Sequence, residues 1–145
     1  MIRTVLAVSA IAIGITVVAA QSDPIATRKA TMKEVGAQTK TGSGMAKGEI
    51  PYDQGKAQGV FAAYVKAATD LPTLFPETSK TGGDTAALPA VWANKADFDA
   101  KAAKFAADAK QAQTGVKDLD TFKASFSAVT KNCGGCHETY RAKKS

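Results

Sequence analysis

The sequence DLDTFKASFSAVTKNCGGCHETYR, residues 118–141, carries one apolar stripe at helical spacing. Its members follow one another at intervals of 4, 3, 4, 3 and 4 residues: Phe122, Phe126, Val129, Cys133, Cys136 and Tyr140. Since residues three and four apart share a helix face, the stripe predicts an amphipathic helix that begins after Asp118 or Asp120. Both cysteines of the chain then lie on the face that turns toward a core.

Helical patterns also fill much of the sequence before this stretch. A first helix is predicted to begin at Pro24, behind the capping residue Asp23. We expect it to fray or end between residues 40 and 47, because residues 41–44 read TGSG. A second helix follows the cap Asp53 and is predicted to end or kink at Pro72.

The third helical pattern follows Pro89 and ends at Gly115, with Trp92 near its start. Its stripe repeats the same spacing: Phe98, Ala102, Phe105, Ala109, Ala112 and Val116. A polar loop, residues 78–88, separates it from the second helix. Four amphipathic helices with mostly short connections predict an all-α fold, an antiparallel up-down-up-down four-helix bundle.

Composition excludes several other classes of protein. With 145 residues, 45% of them hydrophobic and 22% charged, the chain suits one folded domain and not a disordered segment. Two cysteines are too few for a disulfide-stapled mini-protein. The formal net charge of +6 is spread as single Lys and Arg residues, so we expect no nucleic-acid groove.

The first twenty residues predict a signal peptide. Arg3 precedes an uncharged apolar run over residues 5–20, which ends in the small-residue pattern Val18-Ala19-Ala20. Cleavage after Ala20 would leave a mature domain of residues 21–145, exported to a bacterial periplasm. The alternative, an uncleaved anchor, is disfavoured because the run is shorter than a typical membrane span. We therefore expect no stable membrane insertion after cleavage.

The chemistry concentrates in Cys133-Gly134-Gly135-Cys136-His137, a C-x-x-C-H motif that is the attachment signature of a c-type haem. Two thiols three residues apart lie about one helical turn apart, so they can bond to the two vinyl groups along one porphyrin edge. His137 follows at once and can ligate the iron. The bundle is therefore expected to enclose one covalently bound haem c per chain.

Three other uses of the motif explain less of the sequence. A thioredoxin-type redox pair needs a strand leading into the helix, and none is readable here. A structural zinc site normally takes four protein ligands, whereas Cys133, Cys136 and His137 are all the Cys and His of the chain. A disulfide between residues three apart closes a trivial loop and stabilises little.

The chain resembles the class II c-type cytochromes, which include cytochrome c′ and the low-spin cytochromes c-556. The resemblance covers residues 23–144 and rests on short motifs: Arg28-x-x-x-Met32, KGE at 47–49 with PYD at 51–53, LP-x-LFP at 71–76, Trp92, and CGGCHETYR at 133–141. It implies a four-helix bundle, thioether bonds from Cys133 and Cys136, and His137 as the proximal iron ligand.

Carried over by position, the resemblance also assigns two residues of the first helix. Met32 falls where the family places its distal residue, and Arg28 matches a position that lies by the haem edge in many members. In the c-556 type a methionine binds iron as the sixth ligand. In cytochrome c′ the distal residue only fills space and leaves the iron five-coordinate. The KGE-x-PYD and LP-x-LFP segments favour ligation by Met32, while Arg28 favours the c′ type.

Two functions follow from the resemblance. The first is a periplasmic electron carrier that works with redox partner proteins; the alternative is a five-coordinate binder of diatomic gases such as nitric oxide. No paired carboxylates, second His or nucleophile constellation is readable, so we expect no enzymatic activity. Many relatives are homodimers, and the Ala-rich faces of the predicted helices permit one here without requiring it.

Overall fold

The computed structural model describes residues 23–143, and the predicted signal peptide lies outside them. The helices of the described chain are α1 (Pro24–Lys47), α2 (Gln54–Asp70), α3 (Ala90–Ala93), α4 (Lys95–Gly115) and α5 (Leu119–Tyr140). Two 3₁₀ turns, Leu71–Leu74 and Glu77–Ser79, begin the connector between α2 and α3. The remainder of that connector, to residue 89, carries only one isolated bridge, between Ala87 and Arg141.

The four long helices form the predicted bundle. α1 packs against α2 and α5, α2 packs against α4, and α4 packs against α5, so the contacts close a ring. The main core is built from the inward faces of all four, including Val35, Phe61, Ala109 and Phe122. None of the helices in residues 23–143 is long and apolar enough to cross a membrane.

Three aspartates cap the helices where the sequence predicts. The Asp23 carboxylate accepts a hydrogen bond from the backbone N–H of Ile25 at 2.8 Å, and the Asp53 carboxylate accepts one from Lys56 at 2.7 Å. Asp118, rather than Asp120, caps α5 by accepting from the Thr121 N–H at 2.8 Å. These bonds satisfy N–H groups that a helix start leaves without partners.

The first helix runs through its glycines to the upper limit of the predicted range. α1 ends at Lys47, and Gly48 closes it in the left-handed conformation with a φ of 77°. Gly42 and Gly44 are helical and buried, in contacts too close to admit a side chain. A Cβ on Gly42 would lie 2.3 Å from the Phe126 ring, and one on Gly44 would lie 2.6 Å from Ile50.

The third predicted helix is wrong as a single element, because the backbone breaks at Asn94. Its φ of −123° and ψ of 46° separate α3 from α4. The short α3 is held against the connector by Trp92, whose indole N–H donates to the carbonyl oxygens of Phe75 at 2.9 Å and Pro76 at 3.2 Å. Asn has a low helix propensity, so the break falls there at small cost.

A second, smaller core lies beside the main one. It is formed by the buried side chains of Phe75, Val91, Phe98 and Tyr140, with Cys136 packed at its edge. The rings of Phe75 and Phe98 meet edge to face with centroids 4.8 Å apart, and those of Phe98 and Tyr140 are 5.3 Å apart. The connector therefore packs directly on the end of α5 that carries the C-x-x-C-H motif.

Candidate functional site

The motif occupies consecutive turns near the end of α5. Cys133, Cys136 and His137 are all half-buried, and both thiols are free. Gly134 and Gly135 between them are exposed, and no side chain or other helix comes within 4 Å of a Cβ built on either. The structure thus keeps the two sulfur atoms on the predicted stripe and leaves the intervening surface open.

Burial sets the protonation state of these groups. It raises the pKa of the Cys133 and Cys136 thiols. It lowers the pKa of the His137 imidazole, and the nearby Arg141 cation lowers it further. At neutral pH the motif therefore presents two thiols and an uncharged imidazole, the form of histidine that ligates a metal.

This environment argues against the competing uses of the motif. A redox-active C-x-x-C pair depends on a thiol of lowered pKa, whereas both thiols here are shifted upward. Within residues 23–143, no three or more His, Cys, Asp or Glu side chains converge to hold a bare metal ion. Zinc would therefore lack the closed ligand set that a structural site requires.

Met32 lies on α1 and is half-buried against the main core. That core also contains Val129, which precedes the motif on α5 by about one turn. α1 and α5 are in direct contact, so the thioether of Met32 and the motif belong to neighbouring helices. The chemistry of these donors fits a c-type haem: two free thiols on one stripe, an imidazole directly after them, and a thioether on the adjacent helix.

Arg28, one turn before Met32, is buried in protein contacts of its own. Only 5% of its surface is exposed. Its guanidinium donates to the Leu74 carbonyl at 3.1 Å, to the Ser79 hydroxyl at 2.9 Å and carbonyl at 3.1 Å, and to the Thr85 hydroxyl at 2.6 Å. It also lies 4.6 Å from the centroid of the Phe75 ring. Arg28 and Cys136 thus border the same second core.

Two hydrogen bonds near the site could not be predicted from the sequence, which marks Tyr64 and Tyr140 only as members of an apolar helix face. Tyr64 on α2 is fully buried, and its hydroxyl lies 2.8 Å from that of Thr39 on α1. Burial raises the pKa of Tyr64 to about 12, with a smaller contribution from Cys133. Tyr140, at the end of α5, donates a hydrogen bond to the Asp97 carboxylate of α4. Both hydroxyls pair with polar side chains that lie far away in the sequence.

Comparison with known proteins identifies the family. The sequence model of the family described as Cytochrome C′ matches residues 23–141. Cytochrome c′ of Rhodopseudomonas palustris is 50% identical over 126 residues, which cover 87% of this chain and 86% of the relative. Cytochrome c-556 of the same organism is 35% identical, and the alignment covers 99% of each chain.

The fold gives the same answer. A solved structure of cytochrome c′ from Rhodopseudomonas palustris superposes with a TM-score of 0.83 at 50% sequence identity, covering 86% of this chain and all of that one. The fold and the predicted resemblance are confirmed together, and membership implies haem c as the cofactor. The chain belongs to the class II c-type cytochromes, the family of cytochrome c′ and cytochrome c-556.

Proposed function

We propose that this protein is a periplasmic electron carrier with one covalently bound haem. The observation that carries the proposal is the C-x-x-C-H motif on the core-facing stripe of α5, where both cysteine side chains are half-buried. When bound, haem supplies the Fe²⁺/Fe³⁺ couple. The predicted signal sequence at residues 1–20 supports export, and the net charge of +6, from which cleavage would remove only Arg3, suits acidic redox partner proteins.

The chain's own residues have separate tasks in this proposal. Cys133 and Cys136 would hold the porphyrin, each through one thioether bond. His137, on the same helix, would supply a neutral imidazole to the iron. The bundle core around Val129 and Phe126 excludes water and fixes these groups, so that no large rearrangement accompanies a change of oxidation state.

Covalent attachment is tested with the double variant Cys133→Ser/Cys136→Ser. After expression alongside haem-maturation machinery, we expect wild-type protein to keep the added mass of one haem through denaturing extraction. The double variant should lose it, because serine hydroxyls do not form the thioether. Lys131→Ala, an exposed change half a turn before Cys133, serves as the control. Haem mass that stays on the double variant, or is missing from wild type, contradicts the proposal.

Met32 is proposed as the sixth ligand, which would make the iron low-spin. A thioether ligand favours the reduced state and raises the potential. Met32→Leu conserves volume but removes the sulfur, so we expect a high-spin ferric spectrum and a lower reduction potential. Met45→Leu, at a fully buried methionine of the same helix, is the matched control. Spectra of the Met32 variant that superimpose on wild type would exclude ligation.

The second candidate function is binding of a diatomic gas at a five-coordinate iron. The specific observation in its favour is the 50% identity to a relative named cytochrome c′. The optical spectrum of the ferrous protein with and without carbon monoxide separates the two functions. An electron carrier with a bound Met32 should be indifferent to the gas, whereas an open distal site should give a shifted spectrum.

A further inference from the structure

Residues 71–88 of the connector between α2 and α3 are tied to α1 by side-chain bonds. Arg28 donates its four hydrogen bonds to three connector residues, Leu74, Ser79 and Thr85. Lys29, the next residue of α1, adds a surface ion pair with Asp84 at 2.7 Å. Within residues 23–143 the Arg28 guanidinium bonds to hydroxyl and carbonyl oxygens of the connector, and it lies over the rings of Phe75 and Trp92.

The other end of the same connector is tied to α5. The backbone N–H of Leu88 donates to the Tyr140 carbonyl at 3.0 Å, and that of Ala142 donates to the Ala86 carbonyl at 2.8 Å. The two bonds flank the bridge between Ala87 and Arg141. The Arg141 N–H in turn donates to the carbonyl of His137 at 3.2 Å. The connector thus reaches the helical turn that bears the imidazole.

Thr85 joins the two sets of bonds. Its hydroxyl accepts from Arg28 at 2.6 Å and from the backbone N–H of Ala87 at 3.2 Å. One side chain therefore links a buried cation of α1 to the backbone segment that pairs with the end of α5. Since Arg28 lies one turn before Met32 and Arg141 one turn after His137, this chain of bonds runs between the two helices that carry the proposed iron ligands.

We propose that residues 71–88 act as a strap, locked by Arg28 through Thr85, that positions the last turn of α5 and with it the His137 imidazole. Arg28 and Thr85 are then positioning residues for the proximal ligand. This inference rests on the proposed function, because it concerns the residue expected to bind the iron. It assigns Arg28 a task that needs no contact with haem.

The test compares Thr85→Val with Thr85→Ser in the haem-loaded protein. Valine removes the shared hydroxyl at nearly constant side-chain volume, while serine keeps it. In the valine variant the Arg28 Nη2 group, which donates to Thr85, still has the Ser79 carbonyl as an acceptor. We expect the valine variant to exchange the amide hydrogens of Leu88 and Ala142 about tenfold faster than wild type. In the NMR spectrum of its ferric form, the paramagnetically shifted signals of His137 should also differ in position from those of wild type. The serine variant should return both the exchange rates and the His137 signals to wild-type values.

Thr73→Val is the matched control, because Thr73 lies on the same connector but bonds only to the Asp70 carbonyl, at 2.7 Å. It should leave both readouts at wild-type values. Unchanged exchange in Thr85→Val overturns the strap, and faster exchange with unmoved His137 shifts overturns the positioning role. A wild-type protein that carries no haem would defeat the proposed function instead; amide exchange would then still decide whether Thr85 couples α1 to α5.

Discussion

Gly36 and Gly42 are both interior residues of α1, but their surroundings differ. Gly36 is exposed, and a Cβ added there would meet no atom within 4 Å. Gly42 is buried under the Phe126 ring, whose nearest atom would lie 2.3 Å from that Cβ. The ring has little room to retreat because it stacks on Phe122 with centroids 5.4 Å apart.

The two glycines therefore predict opposite effects of the same substitution. Gly36→Ala should raise the free energy of unfolding by about 0.5–1 kcal/mol, because alanine is the better helix former. At Gly42 the same gain is outweighed by overpacking, which typically costs roughly 1–3 kcal/mol, so we expect a net loss of about 1 kcal/mol. Urea unfolding of both variants measures the difference. If Gly36→Ala and Gly42→Ala stabilise the protein equally, the close approach of the Phe126 ring to Gly42 is contradicted.

The relation between some site residues can be predicted from the sequence, whereas the contacts of others cannot. The motif residues Cys133, Cys136 and His137 were predictable, because their spacing within one helix determines their relation. The partners of Arg28 were not, because Ser79 and Thr85 lie about fifty residues away in a polar connector without periodicity. The role of Arg28 by the haem edge stays a prediction, while its four bonds to the connector are a finding of the structure.

At the scale of elements, the N-terminus of α5 is capped by hydrogen bonds in both directions. Asp118 and Thr121 form a capping box in which each side chain accepts from the backbone N–H of the other, at 2.8 and 3.1 Å. The backbone N–H of Thr121, followed by the Thr121 hydroxyl, which also donates to the Asp118 carboxylate at 2.8 Å, holds the pKa of Asp118 below its ordinary value of 3.8. The stability they supply is therefore present above that pH and is lost as the pH falls through the lowered pKa.

Asp118→Ala should lower the unfolding temperature at neutral pH, because α5 loses its N-terminal cap. Asp118→Asn caps nearly as well, so it should cost little at pH 7 and remove the acid-dependent part. Thermal unfolding from pH 7 to pH 2 would show both effects. A wild-type and an Asn variant with the same pH profile would refute the contribution of the carboxylate.

The helix starts were predictable because capping is local: Asp23, Asp53 and Asp118 each act within three residues. The break at Asn94 was not predictable, because it follows from the docking of Trp92 on a distant connector. The persistence of α1 through Gly42 has the same kind of cause. Glycine-rich sequence lowers helix propensity, but contact with α5 decides the outcome.

At the scale of the whole molecule, the stability of the fold at alkaline pH depends on how the three tyrosines are buried and hydrogen-bonded. The pKa of Tyr52 is raised chiefly by burial, and that of Tyr64 is raised to about 12, also chiefly by burial. The pKa of Tyr140 reaches about 12 chiefly through its hydrogen bond to Asp97. A raised tyrosine pKa means that stability is complete below the unfolded value near 10 and declines above it.

We therefore expect the unfolding midpoint to fall steeply between about pH 10 and pH 12, with little phenolate absorbance while the protein stays folded. Tyr64→Phe and Tyr140→Phe should each flatten part of that decline, at some cost in stability at neutral pH from the lost hydrogen bonds. Denaturation followed against pH, with phenolate absorbance near 295 nm, measures both quantities. If the tyrosines of the folded protein ionise near pH 10, the prediction that the fold raises their pKa values is wrong.

Trp92 is the sole tryptophan of the chain, and it is anchored by its indole N–H beside the second core that Cys136 borders. A porphyrin bonded to Cys136 would therefore sit close enough to accept the excitation energy of this indole and suppress its fluorescence. Unfolding would separate them, since they belong to distant segments of the chain. Light emission from one native side chain thus reports, without any added label, whether the haem-bearing helix and the connector are still assembled.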